Sequence, residues 1–319
     1  MTPPAGLPFA PVRWGLYLPA ELFAGFDPEA ASSWTATADF AIYRHTVVEA
    51  HRDVRDPFVS MMQSLHDHSI TEAIRPLSAG RRVAAIMGGH KLPRSGPAYR
   101  DVARLARALT RADVTVSSGG GPGAMEATHL GASLAPAGDA ELDRALAALS
   151  VVPVVPELKS VVRPDGTVDE ALCERAHAWF RPAYELSRAF GGGPASLAVP
   201  TWHYGHEPTT PLATHVAKYF QNSIREEGLL ALAQQGVVYA EGRAGTLQEI
   251  FQDAAQNYYR SFAYFSPMVL LGIRYWTETL PVLPLLEKLL LPDDRQRLVL
   301  VTDDVDEAAA FIAGFEPPA

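Results

Sequence analysis

From residue 82 onward, short apolar runs alternate with stretches that carry apolar residues at helical spacing. The runs lie at 82–88, 113–118, 195–200, 236–241, 267–272 and 298–302, and the helical patterns at 97–111, 122–135, 213–233, 245–260, 278–291 and 304–313. Short, nearly continuous apolar runs between helices predict strands covered on both faces. Their alternation with helices predicts an α/β fold, a doubly wound, mostly parallel sheet. Residues 1 to about 25 are rich in Pro and Gly and read as irregular, whereas Pro28 to Leu77 reads as mostly helical. Ser69-Ile70-Thr71-Glu72 matches a capping box that would open a short helix, and Met61 and Met62 read as core. We therefore expect an N-terminal helical extension over 1–80 and the α/β domain over 81–319. A helical insertion at about 137–193 holds patterns at Leu142–Leu149 and Val168–Phe190, linked through Pro164-Asp165-Gly166. The insertion is expected to form a lid or an oligomer contact.

Three of the apolar runs end in glycine. Val83-Ala84-Ala85-Ile86-Met87 runs into Gly88-Gly89-His90. Val114-Thr115-Val116-Ser117-Ser118 runs into Gly119-Gly120-Gly121-Pro122-Gly123-Ala124-Met125-Glu126. Gly236-Val237-Val238-Tyr239-Ala240 leads into Glu241-Gly242-Arg243-Ala244-Gly245-Thr246-Leu247-Gln248-Glu249. Glycine lets another molecule approach the backbone closely, and Pro122 suits a first helical position. A tight strand-to-helix turn points unpaired N–H groups and the positive helix end at whatever lies above the sheet, which favours an anion such as phosphate. In parallel α/β sheets such turns meet at the carboxyl edge, where ligands bind. The candidate binding residues are Gly88, Gly89, Gly119, Gly120, Gly121, Gly123, Met125, Gly242, Arg243, Ala244, Gly245 and Thr246. Glu249, one helical turn further on, sets a carboxylate beside that cradle, a pairing suited to chemistry on a phosphorylated sugar.

Composition narrows the classes. The chain has 319 residues, 48% of them hydrophobic, which fits a globular protein with a sizeable core. Its formal charge of -9 argues against a nucleic-acid polymer as partner. Cys173 is the one cysteine, so no intramolecular disulfide and no multi-cysteine metal site can form. A lone cysteine, no run long enough for a bilayer and no signal-like start predict a cytoplasmic protein. His90, His203 and His206 have spacings that match no standard metal site and read as polar residues. No metal and no cofactor is expected. Tyr258, Tyr259, Phe262, Tyr264 and Phe265 read as packing or a subunit contact.

At its two longer glycine turns the chain resembles the LOG family, also called lysine-decarboxylase-like proteins. That family pairs Pro-Gly-Gly-x-Gly-Thr-x-x-Glu with an upstream Gly-Gly-Gly turn and a Met-containing helix. Here these are Glu241 to Glu249 and Gly119 to Glu126. Met87-Gly88-Gly89-His90, with Pro200-Thr201-Trp202 through Glu207-Pro208-Thr209-Thr210-Pro211, is similar to the branch of bacterial pyrimidine/purine nucleotide 5'-monophosphate nucleosidases. The resemblance covers about 82–135 and 194–272 and implies a Rossmann-like fold. It further implies hydrolysis of the N-glycosidic bond of an AMP-like nucleoside 5'-monophosphate, releasing free base and ribose 5-phosphate. By the same resemblance Glu249 and Arg225 are the catalytic residues, Gly242, Gly245 and Thr246 hold the phosphate, and the protein is a homodimer or larger homo-oligomer. The chain departs from the family at Glu241, which replaces Pro, and at Arg243, which replaces Gly.

Two other classes fit the same residues. One is a non-catalytic nucleotide-binding sensor or carrier, motivated by Glu241 and Arg243. The other is a dinucleotide-dependent oxidoreductase, since Gly119, Gly121 and Ala124 fit a loose Gly-x-Gly-x-x-Ala pattern. The latter needs a ribose-binding acid at the end of the next strand, and Asp139, at about the right distance, has no strand pattern before it.

Overall fold

The computed structural model describes residues 6–202, 208–261, 264–290 and 297–318. Its strands are β1 (Val83–Met87), β2 (Thr115–Ser118), β3 (Ser196–Ala198), β4 (His215–Val216), β5 (Gly236–Tyr239), β6 (Met268–Leu271) and β7 (Val299–Thr302). They form one seven-stranded sheet in the order β4-β3-β2-β1-β5-β6-β7. Every pairing is parallel. The chain winds outward from β1 to β4, then crosses back to β5 and winds the other way. β1 and β5 therefore flank the switch point, with Ala84 opposite Gly236 and Met87 opposite Tyr239.

Helices α1 (Pro19–Leu22), α2 (Ala38–Ala50) and α3 (Pro57–Ser78) precede the sheet, with a 3-10 segment at Ala31–Ala36. Then come α4 (Pro97–Arg111), α5 (Ala124–Ser133), α6 (Asp139–Ser150), α7 (Glu170–Ala189), α8 (Asn222–Leu232), α9 (Ala244–Tyr258), α10 (Leu283–Leu290) and α11 (Val305–Ala313).

The strand alternation sorts side chains into two cores, the arrangement of a doubly wound α/β protein. Ala84, Ile86, Val116 and Val238 pack with Leu105 of α4, Leu130 of α5, Leu146 of α6 and Ile312 of α11. Ala85, Met87, Val237 and Tyr239 face the other way, onto Leu229 of α8, Ile250 of α9, Leu286 of α10 and Ile70 of α3. The N-terminal segment belongs to this second core through Phe9, Tyr17, Leu22 and Phe23. The expected insertion adds to both cores, through Leu142 and Leu149 of α6 and through Trp179 and Phe180 of α7. Tyr17 also pairs with Val216, exchanging N–H···O bonds of 3.0 and 2.9 Å, and so covers the outer edge of β4.

Several local expectations are corrected. The helix expected at 213–233 begins only at Asn222, because His215-Val216 extends the sheet. A strand of that length is too short to leave an alternation in the sequence. Ser69 to Glu72 opens no helix. These residues lie inside α3, whose N-cap is Asp56, and Ser69 Oγ instead accepts the Arg13 N–H at 3.1 Å. Met62 packs against the core, but Met61 is 56% exposed. Asp139 ends no strand; it opens α6 and pairs with Arg107. His203, His206 and Phe262 lie outside the described residues.

Candidate functional site

Because β2, β1 and β5 are neighbours in the sheet, the three glycine turns that follow them lie side by side. Backbone bonds lace them together. Gly89 donates its N–H to the Glu241 carbonyl at 2.8 Å, and Ala124 donates to the Gly89 carbonyl at 3.2 Å. The packing is tight enough to require glycine. A Cβ at Gly88 would stand 2.7 Å from the Ala124 Cβ, and one at Gly123 would collide with the Gly89 carbonyl. Gly120 has φ +73° and lies against Ala198 and Pro200, while its carbonyl accepts the Thr210 N–H at 2.8 Å. Close approach of neighbouring backbone thus accounts for Gly89 and Gly123, and close approach of the Ala124, Ala198 and Pro200 side chains for Gly88 and Gly120.

The turns differ in access. Gly119 through Met125, including Gly121, are buried, whereas Arg243, Ala244 and Gly245 are exposed. The N-terminus of α9 has no side-chain cap, and its first intrahelical bond runs from Leu247 N–H to the Arg243 carbonyl. The N–H groups ahead of Leu247 are the natural donors for an anion at a helix start. A Cβ at Gly245 would meet open space. Thr246 is buried and folds its side chain back over Gly242, whose carbonyl accepts the Tyr275 hydroxyl at 2.5 Å. Glu241 leans toward the end of β6, its Cγ 3.9 Å from where a Cβ on Gly272 would sit. Its carboxylate therefore belongs to the Gly272 and Tyr275 side of the turn.

Arg225 and Glu249 come together. Arg225 Nη1 stands 3.6 Å from Glu249 Oε1, with the side chains 7% and 13% exposed. The same guanidinium lies against Gly119, where a Cβ would be 3.1 Å from Nη2 and 2.6 Å from Met125 Sδ. Gly119, Met125, Arg225 and Glu249 thus form one wall of the site. Arg225 Nε is buried and has no hydrogen-bond partner. An unpaired buried donor on a cation is costly, so the guanidinium is held here with part of its hydrogen-bonding capacity unused.

Neighbouring residues hold that wall in place. Glu226 accepts from Asn222 Nδ2 at 2.6 Å and from Gln248 Nε2 at 2.7 Å, which latches α8 to α9. Behind β2, His129 bridges Ser118 Oγ and Ser196 Oγ at 3.0 Å each, and Ser118 Oγ also accepts the Gly120 N–H at 3.1 Å. Burial pushes the His129 imidazole down to about 3, so it stays neutral and structural. Below Glu249 on α9, Asp253 accepts the Tyr239 hydroxyl at 2.7 Å, and burial pushes it up to about 7. Glu226, Gln248 and His129 did not stand out in the sequence. The signal that could have found Glu226 and Gln248 was their adjacency to Arg225 and Glu249.

Among the described residues, no group of three or more His, Cys, Asp or Glu is placed to hold a metal, and no helix is long and apolar enough to cross a membrane.

The sheet order, the switch point between β1 and β5, and the turns gathered there define a doubly wound, Rossmann-like α/β protein. No family model and no curated protein matches the chain. Among solved structures it is similar to the molybdenum cofactor binding protein from the phototrophic bacterium Rippkaea orientalis. Identity is 12%, the match covers 74% of this chain and 98% of that one, and the TM-score is 0.41. A likeness of that degree carries no argument about ligand or activity, and the fold assignment rests on the sheet itself.

Proposed function

We propose that the chain is a nucleoside 5'-monophosphate phosphoribohydrolase of the LOG type. The observation that carries this reading is the approach of Arg225 to Glu249 beside the open N-terminus of α9. In the proposed reaction, water adds to C1′ of the pentose as the C1′–N bond breaks. The bonding electrons leave with the base nitrogen, which takes up a proton, and ribose 5-phosphate remains. Positive charge builds on the sugar in such a transition state, as in glycoside hydrolysis. Glu249 balances that charge, the start of α9 receives the phosphate, and Arg225 adds positive charge for it. By resemblance the enzyme works as a homodimer or larger assembly.

A panel of nucleoside monophosphates, with chromatographic detection of free base, tests the reading. Release of base by the wild type and its loss in Glu249→Gln, with nucleotide binding retained, is the expected result. No release from any monophosphate would remove the hydrolase assignment. One observation favours the sensor or carrier as second reading: Glu249 already faces a cation, which offsets the charge that catalysis would use. Tight binding of a monophosphate without release of base is the outcome that reading expects.

A further inference from the structure

We propose that Asp67, in the N-terminal helical extension, is the positioning residue that sets where Arg225 stands. The inference rests on the proposed function, in which Arg225 serves the substrate phosphate beside Glu249. Asp67 lies on α3 and is fully buried. Its two carboxylate oxygens accept the N–H groups of Phe220 and Gln221, each at 2.9 Å. Those are the residues immediately ahead of α8. Gln221 in turn accepts the N–H of Arg225 through its carbonyl at 3.3 Å. Two hydrogen bonds therefore connect the Asp67 carboxylate to the backbone of Arg225.

The hold differs from the N-caps that other described helices carry on their own chain segment. Asp56, Asp169 and Asp304 each cap their own helix from the N-cap position. The N-cap of α8 is Gln221, which makes no side-chain cap bond. A carboxylate from a distant helix supplies the negative charge that a helix start favours. It also provides the forked acceptor that two consecutive N–H groups require.

Asp67 is itself fixed. His66 Nδ1 lies 3.2 Å from Asp67 Oδ1, and His66 Nε2 lies 2.9 Å from the Tyr17 hydroxyl. Burial lowers the His66 pKa and raises that of Tyr17, so the ring is neutral and the phenol keeps its proton. The carboxylate can only accept, which places the ring hydrogen on Nδ1 and leaves Nε2 to accept from Tyr17. The backbone of Tyr17 is bridged to Val216 at the sheet edge. A continuous polar path thus runs from the sheet edge through Tyr17, His66 and Asp67 to the start of α8.

Asp67→Asn tests the assignment. The amide keeps one acceptor and turns a donor toward a backbone N–H. Amide hydrogen exchange at Phe220, Gln221 and Arg225 should accelerate by about tenfold or more, with β1 unchanged. Turnover should fall by a similar factor. Combining Asp67→Asn with Arg225→Lys should cost no more turnover than Arg225→Lys alone, since both act through one guanidinium. Thr71→Val is the control. It removes the 3.2 Å contact between Thr71 Oγ1 and the Tyr219 hydroxyl, also made from α3, and should leave turnover intact. Unchanged exchange in Asp67→Asn, or an equal loss of turnover in Thr71→Val, would overturn the proposal. If Asp67→Asn does not fold, the wild type decides: protection of Phe220 and Gln221 comparable to β1 supports the hold, and loop-like exchange refutes it. A wild type that releases no base would remove the hydrolase reading and leave the exchange measurement standing, because exchange needs no turnover.

Discussion

Arg225 Nη1 lies 3.6 Å from Glu249 Oε1, close enough for attraction and too far for a well-formed hydrogen bond. Neither group is locked to the other, so a ligand can separate them without breaking a hydrogen bond between them. The two residues should then fail differently. Glu249→Gln should lower kcat by roughly 10²–10⁴-fold while a monophosphate still binds. Arg225→Ala should weaken binding of the monophosphate by about tenfold or more and leave the weaker binding of the free nucleoside nearly unchanged. Steady-state kinetics together with calorimetric titration of both ligands checks this. Equal losses for nucleoside and nucleotide would detach Arg225 from the phosphate.

The glycines divide into those that serve packing and those that serve access. Gly119→Ala would bring a Cβ to 2.6 Å from Met125 Sδ and 3.1 Å from Arg225 Nη2. It should cost about 1–3 kcal/mol of stability through overpacking and displace the guanidinium. Gly245→Ala has open space around it and lies in the first turn of α9. That variant should match or exceed wild-type stability, by up to about 1 kcal/mol, because alanine favours the helix. Its methyl group should nonetheless hinder a phosphate seated at the start of α9. Urea denaturation and phosphate titration, run on both variants, separate the two effects.

His129 makes the fold sensitive to acid. The folded protein holds it neutral down to about 3, while the unfolded chain protonates it near its ordinary value of 6.5. Its contribution is complete above the unfolded value and is lost progressively as pH falls from about 6.5 toward about 3. The loss should reach a few kcal/mol, on the order of one per pH unit crossed. In His129→Asn the urea midpoint should fall less between pH 7 and pH 4.5 than in the wild type. An identical slope in the two proteins would mean that the imidazole is protonated without penalty.

The strand–helix alternation and the glycine turns were legible because each is local. Val83 to Met87 and Gly236 to Tyr239 are apolar on both faces, and glycine clusters mark where such strands end. The same locality hid the rest. His215-Val216 is held by β3 and by Tyr17, so its strand character lies in its partners rather than its own pattern. Ser69 to Glu72 satisfied a capping pattern within a helix already begun at Pro57. Asp67 reaches residues more than 150 positions away, and no spacing rule connects it with α8. The role of Gly119 was ambiguous for a related reason. A glycine beside a ligand and a glycine beside Arg225 and Met125 look identical in a sequence.

Asp253 should act with the opposite sign to His129. It is buried on α9, one turn beyond Glu249, and burial pushes it up to about 7 although the Tyr239 hydroxyl that donates to it works the other way. Between the ordinary carboxylate value of 3.8 and about 7, the folded protein keeps a proton that the unfolded chain has released. This contribution is therefore greatest below the unfolded value, declines as pH rises to about 7 and is gone above it. Asp253→Asn cannot ionise and still offers a carbonyl to Tyr239. Relative to the wild type it should gain stability on moving from pH 5 to pH 8, by an amount on the order of 1–3 kcal/mol. Urea midpoints of the two proteins at both pH values give the answer. A difference that stays constant across the range would show that the Asp253 carboxylate ionises in the folded protein as readily as in the unfolded one.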